Sequence, residues 1–190
     1  MAKRVYFAFH YKDVIDFRAN VVRNHKLTTG VEAAGYYDYS IWEEAKLTGT
    51  KAMKTMIDDE LENTSVTAVL IGSETWYRRW VRYEIMKSIE RGNRVLGIHI
   101  NSIPGKDQRT KTLGPDPFNN LALQISDDLK TGKPNEWDGE KWIWSPDLGP
   151  FSISGQPAEY KGMNFKLSKW FPVYDWVADE GFDNFSKWIE

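Results

Sequence analysis

Residues 65–90, SVTAVLIGSETWYRRWVRYEIMKSIE, decide the fold. Residues 66–71 are an apolar, β-branched run that stops at Gly72-Ser73. A strand apolar on both faces belongs in the middle of a parallel sheet, where helices cover both sides. The loop over residues 73–79 leaves the carboxyl end of that strand, where open α/β sheets bind ligands. A helix over about 80–91 follows, with Val81, Ile85 and Ile89 as its inward stripe and Gly92 as its natural stop. Glu84 sits beside the stripe. At roughly 100° per residue it lies about 60° from Val81 and about 40° from Trp80 and Ser88. That spacing puts a carboxylate at the edge of a cleft, next to an indole. Spacing alone favours a plainer role, a solvated Glu paired with Lys87 or Ser88.

The rest of the chain extends the same architecture. Residues 4–9, RVYFAF, form a second all-apolar strand, with His10-Tyr11-Lys12-Asp13 as its exit loop. Val14, Phe17, Val21 and Val22 then have helical spacing, predicting a helix to about residue 24. Residues 25–35 read as a loop and residues 36–42, YYDYSIW, as the second strand. Residues 51–62 predict a helix facing inward through Met53, Met56, Ile57 and Leu61, and residues 94–100, RVLGIHI, a further strand. Alternating strands and helices with short connections give an α/β, flavodoxin-like, doubly wound parallel sheet with helices on both faces.

Beyond residue 100, Pro104, Gly105, Gly114, Pro115 and Pro117 interrupt any period. Residues 136–144, EWDGEKWIW, carry a hairpin signal at Asp138-Gly139. Residues 170–177 can supply a last edge strand, because Pro172 disfavours a central one. A closing helix over 178–190 has Phe182, Phe185, Trp188 and Ile189 on one face. The chain therefore reads as one domain over 1–190 with an elaboration of loops and a small hairpin at about 101–169. That elaboration is expected to cover a sheet edge and to offer Trp137, Trp142 and Trp144 to a partner, away from catalysis.

Composition narrows the function. With 25 basic and 27 acidic residues the formal charge is −2, which argues against a nucleic-acid binder held by phosphate contacts. There is no cysteine and there are three scattered His, so neither a disulfide framework nor a structural metal site is expected. The start leads straight into a strand, without a signal-peptide core, and no apolar run reaches membrane-spanning length. The expectation is a cytoplasmic protein without a membrane partner. No G-x-G-x-x-G follows any strand, which counts against a dinucleotide oxidoreductase.

The strand, the Gly72-Ser73 turn and the Trp80-Val81-Arg82-Tyr83-Glu84 spacing resemble the W-x-x-x-E signature of TIR domains. The order of elements and the long extension resemble one branch of them, the TIR-like proteins of Thoeris anti-phage systems, over nearly the whole chain. Ala8 stands where many relatives have Ser, so no hydroxyl is available there. The resemblance implies that Glu84 is the catalytic residue of an enzyme that cleaves NAD. NAD would be its substrate, with no separate cofactor. It further implies a product that is a cyclic ADP-ribose isomer, which activates a separate effector NADase. A phage-derived trigger and self-assembly on activation belong to the same picture.

Cleavage of the nicotinamide–ribose bond leaves oxocarbenium-like positive charge on the sugar. A preorganised carboxylate stabilises that charge, as in glycosidases. Candidate substrate-binding residues lie at the predicted strand ends: Phe9, Trp42, Trp76 and Trp80 for stacking, and His10, Asp13 and Ser73 for hydrogen bonds. The alternative for each of these aromatic rings is core packing, and the resemblance favours the cleft for Trp80. Ser73 can equally cap its loop, and a lone His is more often structural. Two other readings stay open: a TIR scaffold that signals only by assembly, and a nucleoside deoxyribosyltransferase-like hydrolase with a carboxylate nucleophile.

Overall fold

A computed structural model describes residues 4–25, 32–34, 44–45 and 47–190. Five parallel strands form the main sheet: β1 (Arg4–Phe9), β2 (Glu32–Ala34), β3 (Val66–Ile71), β4 (Arg94–His99) and β10 (Val173–Asp175). Their order is β10-β4-β3-β1-β2, with every pairing parallel. Counting β10 as the fifth strand, this is the 2-1-3-4-5 order of flavodoxin-like sheets, whose switch point lies between β1 and β3.

Alternation along the two central strands sorts the core into two layers. Tyr6, Ala8, Val69 and Ile71 face α3 (Thr50–Leu61) and α4 (Arg79–Glu90), and pack with Ile57, Leu61, Val81, Ile85 and Met86. Val5, Phe7, Ala68 and Leu70 face the other way. They pack with Ala19 and Val22 of α2 (Arg18–Arg23) and with Phe185 and Trp188 of α5 (Gly181–Trp188). Gly92 ends α4 at φ 79, the left-handed conformation that glycine adopts without strain.

Several expectations need correcting. The single helix expected up to residue 24 is two. The first, α1 (Tyr11–Ile15), is separated from α2 by Asp16 and by Phe17 at φ 67. The break changes which face points inward, so Phe17 and Val21 are exposed while Ala19 and Val22 are buried. The second strand lies at residues 32–34, inside the stretch expected to be loop. The strand expected at 36–42 lies outside the described residues. Phe182 is exposed, whereas Phe185, Trp188 and Ile189 are buried.

The largest correction concerns the extension. It is no set of loops with one hairpin but a second, antiparallel sheet of five strands. In it β5 (Leu121–Ile125) pairs with β6 (Thr131–Trp137) and β9 (Asn164–Lys166), and β6 also pairs with β7 (Trp142–Trp144) and β8 (Phe151–Ser152). The expected hairpin is there, as β6–β7, with Trp137 opposite Trp142 and Gly139 at φ 112 in the turn. The second sheet does not line an edge of the first. Its Leu121, Leu123 and Phe151 join the same core layer as Val81 and Ile85 and so cover α4. Two ion pairs fasten the same contact: Arg82 with Glu136 at 3.2 Å, and Arg79 with Asp147 at 2.7 Å.

Candidate active site

Glu84 lies midway along α4 and is only 4% exposed. It is therefore not the half-solvated residue of a cleft edge, nor a surface Glu. Lys87 pairs with Glu90 instead, and the Ser88 hydroxyl donates to the Glu84 backbone carbonyl at 2.6 Å. The expectation counted one inward stripe, but α4 has a second wall in the antiparallel sheet. Tyr83 is buried against α3, where its hydroxyl meets Asp58, Ser88 against β3, where it meets Thr67, and Met86 in the core layer of Val81 and Ile85.

Among the described residues one polar contact reaches the carboxyl group. The Tyr6 hydroxyl, on β1, donates to Glu84 Oε1 at 2.8 Å. Oε2 is buried and has no hydrogen-bond partner among the described residues. Burial pushes the carboxyl up to about 8, and the Tyr6 hydrogen bond opposes that rise. Tyr6 was legible in the sequence only as part of an apolar strand. The signal was its hydroxyl, since a Tyr inside a core strand needs a hydrogen-bond partner.

The aromatic candidates do not converge. Trp80 is half-buried on the Glu84 side of the sheet, edge-on to Tyr83 and beneath the Arg79 guanidinium at 4.7 Å. Phe9 packs against the opposite layer, with Arg23 over its ring at 5.7 Å. Phe9 and Trp80 thus do not flank one concavity with Glu84, because odd and even positions of β1 point to opposite faces. Trp76 is half-buried and edge-on to Tyr77, and its carbonyl accepts from Arg82 Nε at 3.1 Å. Trp42 lies outside the described residues.

His10, Asp13 and Ser73 do come together, at the carboxyl ends of β1 and β3. Asp13 is 3% exposed and lies directly against Gly72, where an added Cβ would come within 2.3 Å of its Oδ2. Only glycine fits there. Burial raises the Asp13 carboxyl to about 6, against the opposing charges of Lys111 and Arg18, and its Oδ2 has no hydrogen-bond partner among the described residues. Burial, helped by Arg78, holds the His10 imidazole down at about 4, so it is neutral at pH 7. Its Nε2 stands 3.5 Å from Glu74, and that carboxylate also gathers Lys12 at 3.3 Å and Arg78. Ser73 is exposed at the rim.

The described residues therefore hold two polar centres joined by one strand. Tyr6 anchors Glu84 three residues before Phe9, about 10 Å along β1 from the crevice. A carboxyl group shielded from water with one oxygen open, near a crevice of hydrogen-bonding groups at the switch point, suits charge development on a bound sugar.

The family model for the Thoeris protein ThsB, TIR-like domain, matches residues 6–104. A curated relative from Bacillus cereus (strain MSX-D12), "Putative cyclic ADP-D-ribose synthase ThsB1", is 53% identical over 191 residues, covering 100% of both chains. No described helix is long and apolar enough to cross a membrane.

Proposed function

The chain belongs to the Thoeris ThsB family of TIR-like proteins, and on that premise we propose that it consumes NAD to make a cyclic ADP-ribose isomer. The observation that carries this reading is the Glu84 carboxyl, buried at the W-x-x-x-E position with Tyr6 on one oxygen and, among the described residues, no partner on the other. The C–N bond between ribose and nicotinamide breaks with its electron pair leaving on neutral nicotinamide. The form that turns over is the one with Glu84 ionised, and its carboxylate faces the cation left on the ribose. A hydroxyl of the adenosine half attacks that carbon and loses its proton, giving the cyclic isomer, nicotinamide and one proton. Holding that hydroxyl in place and keeping water out favours ring closure over linear ADP-ribose.

His10, Asp13 and Ser73 bind the hydroxyls of the substrate, and Trp76 and Trp80 offer faces for its rings. Phe9 meets the substrate away from Glu84, and Trp42 is kept as a binding residue of this reading. The whole of residues 1–190 works as one cytoplasmic unit, with 101–169 as its elaboration. NAD is a substrate, and no other cofactor is invoked. A phage-derived trigger and self-assembly switch the enzyme on, and its cyclic product activates a separate effector NADase.

The test is turnover of NAD by the pure, triggered protein, with deoxynucleosides as the competing substrate. Nicotinamide and a product one water lighter than ADP-ribose are expected. Glu84→Gln should lower turnover by a factor on the order of 10² or more. Full activity in that variant overturns the reading. Cleavage of deoxynucleosides instead points to a hydrolase, and no turnover of either compound points to a scaffold.

A further inference from the structure

Residues 101–115 follow β4 and cross the carboxyl ends of β1 and β3. Arg18, itself 2% exposed, donates through Nε to the Ile103 carbonyl at 2.9 Å and through Nη2 to the Arg109 carbonyl at 2.6 Å. The Lys111 amide donates to the Asn101 carbonyl at 2.9 Å, which closes the segment on itself. Gly114 packs on the backbone of the β3 exit loop, where an added Cβ would lie 2.0 Å from the Gly72 carbonyl oxygen. The extension therefore borders the crevice that holds His10 and Asp13, in contrast to a role confined to partner surfaces.

The chemistry of that crevice is unbalanced for a dinucleotide. Asp13 Oδ2 and His10 Nε2 are buried without hydrogen-bond partners among the described residues, and both suit hydroxyl groups of a ribose. A diphosphate beside that ribose would stand next to an acidic crevice and needs a cation. Lys12 and Arg78 are held by Glu74, and Arg18 is committed to backbone carbonyls and Asp16. Lys111 differs. It is 37% exposed, and among the described residues its ammonium pairs with Asp16. Asp16 also takes Arg18 Nη1 at 3.0 Å, so its charge stays compensated if Lys111 turns away. A lysine on a flexible stem can make that turn without moving the backbone.

We propose that Lys111, supplied by the extension, is the substrate-binding cation of this site: it leaves Asp16 and takes the diphosphate of the dinucleotide. This rests on the reading of the Asp13–His10 crevice as the NAD site. Residues 101–115 are then a wall of the active site, and the Lys111–Asp16 pair is what the substrate must break.

Calorimetric binding of NAD to protein carrying Glu84→Gln tests this without turnover. Adding Lys111→Ala should weaken NAD about tenfold, as for loss of one charge-assisted contact, and Lys111→Arg should restore most of it. Adding Asp16→Asn frees the lysine while still accepting from Arg18, and should tighten NAD about threefold. Nicotinamide riboside, which has no phosphate, should bind all variants alike. Opposite signs from the two ends of one ion pair are the signature, because a purely structural pair would weaken binding from either end. Shifts of the same sign, or an unchanged affinity in Lys111→Ala, overturn the assignment of Lys111 alone. No binding of NAD to any variant overturns it together with the reading of the crevice.

Discussion

Replacing Glu84 by Gln should make the fold less sensitive to alkali. Burial raises this carboxyl from 4.5 to about 8. The folded state therefore holds a proton that the unfolded chain has already lost, and stability falls as pH rises between those two values. Each pH unit in that window costs about 1.4 kcal/mol, so roughly 5 kcal/mol is lost in all above about pH 8. Between about pH 6 and about pH 9 the loss comes to about 3 kcal/mol. Gln carries no such penalty. It keeps an oxygen for the Tyr6 hydroxyl and puts an amide where Oε2 stands unpartnered among the described residues, which costs about 1–3 kcal/mol at every pH.

The useful quantity is therefore the difference between the two proteins at the two pH values. Other groups titrate equally in both and cancel. For a chain of this length about 3 kcal/mol corresponds to a shift of roughly 6–12 °C in Tm. Thermal unfolding followed by circular dichroism at about pH 6 and about pH 9 measures it. The melting temperature of the Gln variant should gain on that of the native protein by several degrees at the higher pH. A gap between them that stays constant with pH would refute the burial argument, whatever Glu84 does in catalysis.

Tyr6→Phe removes the donor to Glu84 Oε1, the contact that opposes the rise of the carboxyl. The midpoint of the pH–turnover curve should move up by about half to one unit, and turnover near neutral pH should fall several-fold; an unmoved midpoint counts against Glu84 as the titrating group. Gly114→Ala sets a methyl group against the Gly72 carbonyl and 3.0 Å from the Ser73 Cα, both backbone atoms. The urea midpoint should drop by the equivalent of about 1–3 kcal/mol, and an unchanged midpoint would mean that the segment over the crevice is not packed tightly there.

The central strands β1, β3 and β4 of the main sheet were legible because they carry their own evidence. Residues 66–71 are buried throughout, as a run apolar on both faces requires, and Gly92 stops α4 where its position suggested. The second sheet was not legible, for physical reasons visible in its strands. β7 and β9 have three residues each and β8 has two, too few to display a period of two. β6, TGKPNEW, contains Gly132, Lys133 and Pro134, and draws its order from pairing with β5 on one side and β7 and β8 on the other. Cross-strand contacts of that kind override local propensity, and a single sequence does not show them. The break at Asp16-Phe17 was hidden in the same way. Its left-handed Phe17 is an exposed residue of ordinary composition, while Arg18 is drawn inward by carbonyls from residues 103 and 109.

The spacing that placed Glu84 beside Trp80 was right about the helix and wrong about its surroundings, and the error bears on function. A helix with two walls must bury polar groups, and α4 satisfies its others. The Tyr83 hydroxyl donates to Asp58 at 2.9 Å, Arg82 pairs with Glu136, and the Ser88 hydroxyl accepts from Thr67 while donating to a backbone carbonyl. These pairs reach both the main sheet side and the extension, so the packing of α4 is not loose. Among the described residues, Glu84 keeps one oxygen without a hydrogen-bond partner beside these pairs. An orphaned carboxyl oxygen in a well-paired helix costs stability, and nothing in the packing of α4 returns that cost. A substrate sugar that develops positive charge beside it would, which is why a residue that costs the resting fold stability is the one assigned the chemistry.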